Sequence, residues 1–341
     1  MGETIVRVLF LTPYFKQNRG NATTAKRIVH GLRLMDIEVV VFAYEEMTWN
    51  DRWQEIFDEM DLYHILHLRR FANWKNKHDV SLNKPYVLTS GGTDINEDLA
   101  DPNALLLMGN VADDSCAVTV FTDDGKEKVA ASYPDLSDRT HVIPQSIWLP
   151  TETDESILLP KGNPVILLPA GLRKVKDIFY LWEAFTSLAE RYPEMKVVFV
   201  GAALEHGLLK QVEMKEDEVE WFTYIGEVSL EAMAHIFKQS DIVINTSISE
   251  GQPTALLEAM YSKRVVAARR NPGNCSVVID GENGFTFDSP EHFIMKVESL
   301  IKNPKQQQEI AEKAFQYVSH HHQFDAEIKA YVNVFNHCLS K

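Results

Sequence analysis

Residues 240–287 read SDIVINTSISEGQPTALLEAMYSKRVVAARRNPGNCSVVIDGENGFTF, and this stretch decides the fold. The apolar run at 242–244 has the unbroken hydrophobic character of a parallel strand that is buried on both faces. A polar turn over 245–251 follows, then a helical pattern that starts near Thr254, then a second apolar run at 265–268. Strand, loop, helix and strand form a βαβ unit, which predicts an α/β protein with parallel sheets.

The loop of this unit carries a predicted ligand site, because open α/β sheets bind ligands outside the carboxyl ends of their strands. The first-turn amides of the helix predict a phosphate site. Glu250 and Glu258 frame the helix start and would repel a phosphate, so we expect them to accept hydrogen bonds from hydroxyls. A ligand with a central phosphate and flanking hydroxyls is a nucleotide-sugar. The other predicted contacts here are Gly251, Gln252, Pro253, Thr254 and Ala255.

Length and composition predict two ordinary globular domains. The chain has 341 residues, of which 45% are hydrophobic and 24% charged. The net charge of −15 argues against nucleic acid or anionic lipid as a partner. The three cysteines are scattered, which favours a reduced, cytoplasmic setting. No apolar run approaches the roughly 20 residues that a membrane-spanning helix needs, and no signal peptide is evident.

Proline spacing places the domain boundary. Residues 1–150 contain a series of short apolar runs that predict a first parallel sheet. Pro144, Pro150 and Pro160 punctuate a stretch without clear periodicity, so we predict a linker over 151–162. A second domain is then predicted over 163–321, and the chain ends in a helical pattern.

Loops of the first domain contain further candidates. Gly20 follows the first strand and permits a tight turn, which either brings the backbone close to the donor or is a plain turn. Asn21 is a candidate for acceptor or donor-sugar contact, and Asn21, Thr23 or Thr24 can cap the helix. His67 and Arg69 are expected at the carboxyl end of a strand over 62–68. The helical segment that starts at Arg69 is either a solvated amphipathic helix or an acceptor-binding surface.

A glycine pair follows the fourth predicted strand, at 86–89. Gly91 and Gly92 let the backbone approach a ligand closely, with Thr93 beside them. Asp94 then has two possible functions. Its carboxylate either contacts sugar hydroxyls or an acceptor, or it caps the helix that follows.

Two cations follow the first strand of the second domain. Arg173 offers a planar fork of donors and Lys176 a mobile point charge, and together they suit a diphosphate. No Asp-x-Asp occurs in the chain, so we expect neither a metal nor another cofactor.

The motifs of the second domain resemble the donor site of family-4 retaining glycosyltransferases of the GT-B fold. The resemblance rests on these segments: Glu250-Gly251, 257–260 (Leu-Glu-Ala-Met), Pro272-Gly273 and 280–285 (Asp-Gly-Glu-Asn-Gly-Phe). It implies two Rossmann-like, doubly wound parallel-sheet domains that face each other across a cleft. It also implies that the C-terminal helix, 322–341, crosses back to complete the first, acceptor-binding domain.

The resemblance further implies the activity. A retaining hexosyltransferase would move a sugar from a nucleoside-diphosphate-sugar to a small-molecule or glycan acceptor. The backbone around Gly226 and Val228 would meet the nucleobase. Such contacts leave no side-chain signature, and we expect a UDP-sugar. Arg173, Lys176 and Glu250 would act in catalysis.

Some of the chain departs from the family pattern. Many members carry a His where this chain has Gly91-Gly92-Thr93-Asp94, so that sugar contact does not carry over. This turn, with 19–21 (Arg-Gly-Asn) and 67–70 (His-Leu-Arg-Arg), resembles a sub-branch that includes glycosyltransferase 1 domain-containing proteins and selenosugar synthases. Three alternatives stay open: an epimerase or phosphorylase of GT-B fold, for which Asp94 is the candidate acid/base, a catalytically silent nucleotide-sugar binding protein, and a two-domain NAD enzyme.

Overall fold

The computed structural model describes residues 6–17, 19–150 and 154–340 and divides the chain into two compact units. The first unit comprises Met1–Gln145 and Phe324–Lys341, and the second comprises Ser146–Gln323. The change of unit at Gln145 and Ser146 precedes the predicted linker over 151–162. Residues 151–153 of that linker lie outside the described part of the chain.

A six-stranded parallel sheet forms the centre of the first unit, in the order β2-β1-β3-β4-β5-β6. Consecutive side chains of its first strand point to opposite faces. Leu9 and Leu11 belong to the core on one face, whereas Val8 and Phe10 belong to the core on the other. The strands are β1 (Arg7–Thr12), β2 (Glu38–Ala43), β3 (Leu62–Leu66), β4 (Tyr86–Thr89), β5 (Ala117–Val120) and β6 (Thr140–Val142).

Helices cover both faces of this sheet. They are α1 (Gly20–Leu34), α2 (Asp51–Glu59), α3 (Leu68–His78), α4 (Thr93–Asn96), α5 (Pro102–Ala112), α6 (Asp123–Ser132) and α14 (Phe324–Leu339). The C-terminal helix α14 belongs to this unit, as predicted. It packs Ile328 and Tyr331 into the core, and the buried carboxylate of Glu327 pairs with Arg27 of α1 at 2.8 Å.

The second unit repeats this architecture, with a parallel sheet in the order β12-β11-β10-β7-β8-β9. Its strands are β7 (Val165–Pro169), β8 (Lys196–Val200), β9 (Phe222–Tyr224), β10 (Ile242–Asn245), β11 (Val265–Arg269) and β12 (Phe285–Phe287). Ile166 and Leu168 face one core and Val165 and Leu167 the other, so β7 is buried on both faces. The two parallel sheets confirm the predicted doubly wound fold.

The helices of the second unit flank its sheet. They are α7 (Trp182–Arg191), α8 (Leu208–Glu218), α9 (Leu230–Lys238), α10 (Thr254–Tyr261), α11 (Pro272–Cys275), α12 (Pro290–Lys302) and α13 (Pro304–His321). The helix predicted near Thr254 begins at that residue. None of the helices within residues 6–17, 19–150 and 154–340 combines the length and apolar character needed to span a bilayer.

Two strands end shortly before a residue with positive φ, and the first of them ends earlier than predicted. The strand predicted over 62–68 ends at Leu66, because His67 adopts φ 72° and α3 starts at Leu68. Arg69 therefore lies in a helix and not on the strand. Likewise β9 ends at Tyr224, two residues before Gly226, whose φ of 75° turns the backbone away from the strand direction.

Candidate functional site

The order of strands in the second sheet defines where a ligand is expected. The chain runs from β7 outward through β8 and β9, and then returns to the other side of β7 with β10. The crevice outside the carboxyl ends of the two strands at such a reversal is the usual ligand site of a doubly wound sheet. The loops that follow β7 and β10 contain Lys176 and Glu250, so the predicted catalytic residues lie at this switch point.

These two loops are held together directly. The Thr246 hydroxyl donates to the carbonyl of Lys176 at 2.8 Å, and the Ile248 amide donates to the carbonyl of Val175 at 2.9 Å. The Lys176 ammonium donates to Oε1 of Glu250 at 2.6 Å. Sequence alone predicted a diphosphate contact for Lys176 and a sugar contact for Glu250, but it did not predict that the two side chains bind each other.

The Glu250 carboxylate is held in its ionised form. Its side chain is 11% exposed, and the same Oε1 atom also accepts hydrogen bonds from Asn245 at 2.9 Å and Ser247 at 2.7 Å. Burial opposes ionisation, but the Lys176 charge and these hydrogen bonds outweigh it and lower the pKa of Glu250 below its usual value. The site therefore presents a fixed, negatively charged acceptor beside a cation.

An asparagine network fixes the backbone around Glu250. Asn274 donates to Oδ1 of Asn245 at 3.2 Å, and Asn271 donates to the carbonyl of Ser247 at 2.9 Å. Gly273 lies against Glu250 so closely that a Cβ at this position would be 2.2 Å from the Glu250 carbonyl oxygen. Only glycine permits this approach, so Gly273 helps to set the position of the Glu250 backbone.

A second ion pair anchors the turn that carries Lys176. Arg269, at the end of β11, donates to Asp177 at 2.7 Å, and its guanidinium lies 3.8 Å from the centre of the Tyr180 ring. Asp177 adopts φ 42° and ends the short turn 174–176. Sequence reasoning missed Arg269 and Asp177. Their position at strand and turn ends is the signal that could have identified them.

Arg173 is placed differently from Lys176. Its Nε lies 3.7 Å from Oε1 of Glu205, and the other oxygen of Glu205 accepts the amide of Lys174 at 2.9 Å. The Arg173 side chain is 37% exposed, so its guanidinium is accessible to a ligand that displaces Glu205. The predicted diphosphate contact of Arg173 remains a prediction.

The start of α10 has the geometry of an anion site. Its N-cap is Pro253, without a side-chain cap hydrogen bond, so the first-turn amides at Thr254 and Ala255 are not capped. Gln252 and Pro253 are buried, whereas Gly251 is half-buried. Glu258, in the second turn, is 8% exposed. The predicted contacts of these residues with a donor remain predictions.

The segment predicted to meet the nucleobase lies beyond β9. Gly226 accepts a hydrogen bond from the Gly201 amide at 2.8 Å, and a Cβ at Gly226 would meet nothing within 4 Å. Val228 is half-buried and packs against the core that also contains Ala232. The segment is therefore tied to β8 by its backbone and has open space on its other side.

The first sheet has a switch point of its own, between β1 and β3, where several other candidates lie. Gly20 is the first residue of α1, and a Cβ there would meet nothing within 4 Å, so the expected tight turn is wrong. The expected cap is wrong as well. Arg19 is the N-cap, and Asn21 lies inside the helix together with Thr23 and Thr24, which had been considered as caps.

Asp94 does not cap the helix predicted to follow it, and its contact with a sugar or an acceptor stays a prediction. It lies inside the first turn of α4, fully buried, and its carboxylate accepts hydrogen bonds from the Leu68 amide at 2.8 Å, the Gly91 amide at 3.0 Å and the Ser90 hydroxyl at 2.9 Å. It therefore caps α3, which starts at Leu68, and not the helix that follows it. The described structure therefore favours a structural function for this carboxylate.

His67 and Thr93 join the same buried cluster. His67 Nε2 lies 3.2 Å from the Thr93 hydroxyl, and its Nδ1 lies 3.6 Å from Asp94. Gly92 adopts φ 100°, and a Cβ at Gly91 would be 2.6 Å from the His67 ring. The glycine pair thus permits close packing of His67, which is 3% exposed. Half-buried Arg69 follows in the first turn of α3.

Comparison with known proteins gives the class of protein. Residues 151–317 match the family model for glycosyl transferases group 1. Glycosyltransferase 1 domain-containing protein 1 of Xenopus tropicalis is 28% identical over 343 residues, which cover 96% of this chain and 96% of that protein. The protein is a glycosyltransferase, and its similarity to the group 1 family covers residues 151–317. The resemblance to glycosyltransferase 1 domain-containing proteins is confirmed, and the link to selenosugar synthases stays a prediction.

Solved structures confirm the fold of this glycosyltransferase. Anabaena HepE, crystallised with UDP-glucose, gives a TM-score of 0.78 at 16% identity and covers 97% of this chain and 99% of that one. Sucrose-phosphate synthase from Thermosynechococcus elongatus gives 0.78 at 12% identity, with 98% and 99% covered. At these identities the likeness shows the GT-B fold alone.

Proposed function

We propose that this glycosyltransferase moves a sugar from UDP-sugar to an acceptor hydroxyl, with retention of anomeric configuration and without a metal ion. The contact between Lys176 and Glu250 at the switch point carries the proposal. It places the cation proposed to bind the diphosphate 2.6 Å from the carboxylate proposed to bind the sugar. The solved complex of Anabaena HepE with UDP-glucose supports this class of donor.

The leaving diphosphate would be stabilised by Lys176, Arg173 and the start of α10. An ammonium group has further N–H donors beyond the one that Glu250 accepts, so Lys176 can bind both Glu250 and a phosphate oxygen. The first-turn amides of α10, at Thr254 and Ala255, add a positive potential. Each preorganised donor of this kind lowers the barrier by about 3 kcal/mol.

Two carboxylates would hold the hydroxyls of the donor. Glu250, with its lowered pKa, accepts hydrogen bonds from the sugar, and Glu258 accepts them from the ribose. Because the diphosphate departs with the electrons of the C1–O bond, the sugar becomes cationic. The fixed charge of Glu250 then stabilises the transition state more than the ground state.

No general base is needed in this mechanism. The bond between C1 and the phosphate oxygen breaks, the bond between C1 and the acceptor oxygen forms on the same face, and the leaving phosphate takes the acceptor's proton. An epimerase or phosphorylase would require an acid/base group at the sugar, and Asp94 was the candidate. The burial of Asp94 beneath the Leu68 and Gly91 amides favours the transferase.

Nucleotide titration followed by a transfer assay tests the proposal. We expect UDP to bind more tightly than ADP or GDP, with affinity and turnover unchanged by EDTA. Glu258→Gln should weaken UDP about ten-fold, since a hydrogen bond to a charged group contributes about 1.5–3 kcal/mol. Glu309→Gln is the matched control, because Glu309 is an exposed carboxylate on α13.

Four outcomes would contradict all or part of the proposal. Loss of turnover in EDTA would show that a metal is required. Conversion of the donor sugar without any acceptor would indicate an epimerase. Tight UDP-sugar binding without transfer or hydrolysis across an acceptor panel would indicate a silent binding protein. An inverted anomeric configuration in the product, measured by NMR, would overturn retention alone.

A further inference from the structure

The switch point of the first sheet carries a cluster of cations on an aromatic ring. Tyr14 follows β1, and the guanidinium carbons of Arg19 and Arg70 lie 4.1 Å and 5.6 Å from the centre of its ring. Arg70 also donates to the Tyr14 hydroxyl at 3.2 Å. Arg19 belongs to the loop after β1 and Arg70 to the helix after β3. The cluster therefore connects the segments that follow these two neighbouring strands, where the strand order reverses.

The loop that presents Tyr14 is fixed by a carboxylate from elsewhere. Glu46 accepts the backbone amides of Phe15 at 3.0 Å, Lys16 at 2.9 Å and Gln17 at 3.0 Å. Burial opposes ionisation here, but these backbone hydrogen bonds outweigh it and lower the pKa of Glu46. Tyr14 is therefore held on a loop that keeps its shape at neutral pH, which preorganises the ring and the arginines against it.

The arginines of this cluster lack carboxylate partners. Among the residues that the structure describes, no Asp or Glu oxygen lies within 4.0 Å of Arg19 or Arg70. The same holds for Arg69, which precedes Arg70 in α3. By contrast, Arg27 pairs with Glu327, Arg173 with Glu205 and Arg269 with Asp177. What distinguishes Arg19 and Arg70 is that both guanidinium groups lie against the same ring, that of Tyr14.

Among the described residues, the nearby carboxylates Asp94 and Asp98 form no ion pair with these arginines. Asp94 is fully engaged with the amides of Leu68 and Gly91 and the hydroxyl of Ser90. Burial raises the pKa of Asp98, although Arg69 and Arg70 act in the opposite direction. The arginines are therefore available to a ligand. Guanidinium groups bind phosphate and carboxylate in a planar, two-pronged geometry, and arginines stacked on a ring are preorganised to do so.

We propose that Arg19 and Arg70 bind an anionic group of the sugar acceptor, a phosphate or a carboxylate, at the β1–β3 switch point. The inference rests on the proposed function, because it names the class of acceptor for that reaction. The negative charge of the rest of the chain disfavours anions elsewhere, so the cluster selects acceptors by charge. Such binding weakens as salt screens the charges.

Direct titration with three matched sugars tests this inference. Glucose 6-phosphate, glucuronate and glucose share a ring and differ in charge, so they separate a phosphate site from a carboxylate site. We expect an anionic sugar to bind the full-length protein at least ten-fold more tightly than glucose, and less tightly at high salt. Arg70→Gln and Arg19→Gln should each lower the ratio of anionic-sugar affinity to glucose affinity about ten-fold, and Arg70→Lys should lower it less.

Lys77→Gln is the matched control, since it removes one positive charge from the exposed last turn of the same helix, α3. Equal binding of glucose and both anionic sugars, or equal effects of Arg70→Gln and Lys77→Gln, would overturn the inference. A loss of UDP affinity in Arg70→Gln with acceptor binding intact would overturn it too, because the cluster would then serve the donor. Absence of UDP binding to the unaltered protein would instead contradict the proposed function.

Discussion

The two switch points share a topology but differ in how they hold charge. In the second sheet, Lys176 and Glu250 bind each other at 2.6 Å, and a network of asparagines fixes the pair. In the first sheet, the carboxylate of Asp94 is buried under backbone amides, and the arginines on Tyr14 have no carboxylate within 4.0 Å in the described part of the chain. A paired cation positions a neighbouring group, whereas an unpaired one selects ligands by their charge.

Removing the cation of the second switch point should produce the largest effect. We expect Lys176→Ala to lower kcat about 10²–10³-fold, since it deletes a donor to the leaving diphosphate and leaves Glu250 uncompensated. Lys174→Ala is the matched control. Lys174 is exposed, lies two residues away, and contributes its backbone amide to Glu205, so its side chain is dispensable. Steady-state kinetics of both variants measure the difference. Equal kcat values for Lys176→Ala and Lys174→Ala would show that Lys176 does not act in catalysis.

The pH dependence of this variant gives a second measurement. In the unaltered protein the pKa of Glu250 is lowered, so its pairing stabilises the fold above the usual carboxyl pKa of 4.5 and is lost as the pH falls through the lowered pKa. In Lys176→Ala the dominant remaining influence is burial, which raises the pKa. The Tm difference between the two proteins should therefore shrink as the pH falls from 7 to about 4. A constant difference would contradict this electrostatic explanation.

Changing the carboxylate of the first switch point should act on stability. Asp94→Asn replaces a charged acceptor of the Leu68 and Gly91 amides, and we expect a loss of about 3 kcal/mol. For a unit of this size, that loss lowers Tm by about 6–12 °C. UDP binding should be unchanged when measured well below the Tm, because Asp94 holds a loop of the first unit and the donor residues lie in the second.

Asp101→Asn provides the control for this change. Asp101 caps α5 by accepting the Asn103 amide at 2.9 Å, and asparagine caps helices about as well as aspartate. Its Tm should therefore stay within about 2 °C of the original. Loss of transfer in Asp94→Asn without a change in Tm would assign Asp94 to the chemistry and reverse the contrast between the two switch points.

The sheets could be predicted because buried parallel strands are continuous apolar runs. The strand Tyr86–Thr89 has the predicted bounds, and the C-terminal helix Phe324–Leu339 lies within the predicted 322–341. The strand Phe285–Phe287 was not predicted as a strand, since three residues are too few to show a period. Backbone reversals at His67 and Gly226 were missed as well, because local composition does not reveal a positive φ in advance.

Side-chain partners were harder to predict than strands. Lys176 and Glu250 were both predicted as site residues, yet their contact joins positions 74 residues apart and depends on the order of strands in the sheet. Asp94 was misassigned because an acidic residue at a helix start usually caps that helix. Gly92, at φ 100°, turns the chain so that the carboxylate of Asp94 meets the start of α3 instead.

A pair of glycine substitutions compares the crowding of the two switch points and should give the smallest effects. In Gly273→Ala the new Cβ would lie 2.2 Å from the Glu250 carbonyl oxygen, so the backbone of Glu250 has to move. We expect a loss of about 2 kcal/mol in stability, with kcat about ten-fold lower because Glu250 leaves its position beside Lys176. In Gly20→Ala the Cβ meets nothing within 4 Å, and alanine favours the helix, so we expect a gain of about 0.5 kcal/mol.

Gly20→Ala tests whether the open space beside Gly20, at the start of α1, is filled by solvent or by substrate. If the space is simply solvent, Gly20→Ala keeps full turnover with the small gain in Tm, and Gly20 has no part in binding. If kcat/KM for the donor or the acceptor falls while Tm rises, the substrate itself occupies the space that the Cβ takes. The predicted donor contact of Gly20 would then be correct for a reason that neither its backbone conformation nor its neighbours in the protein reveal.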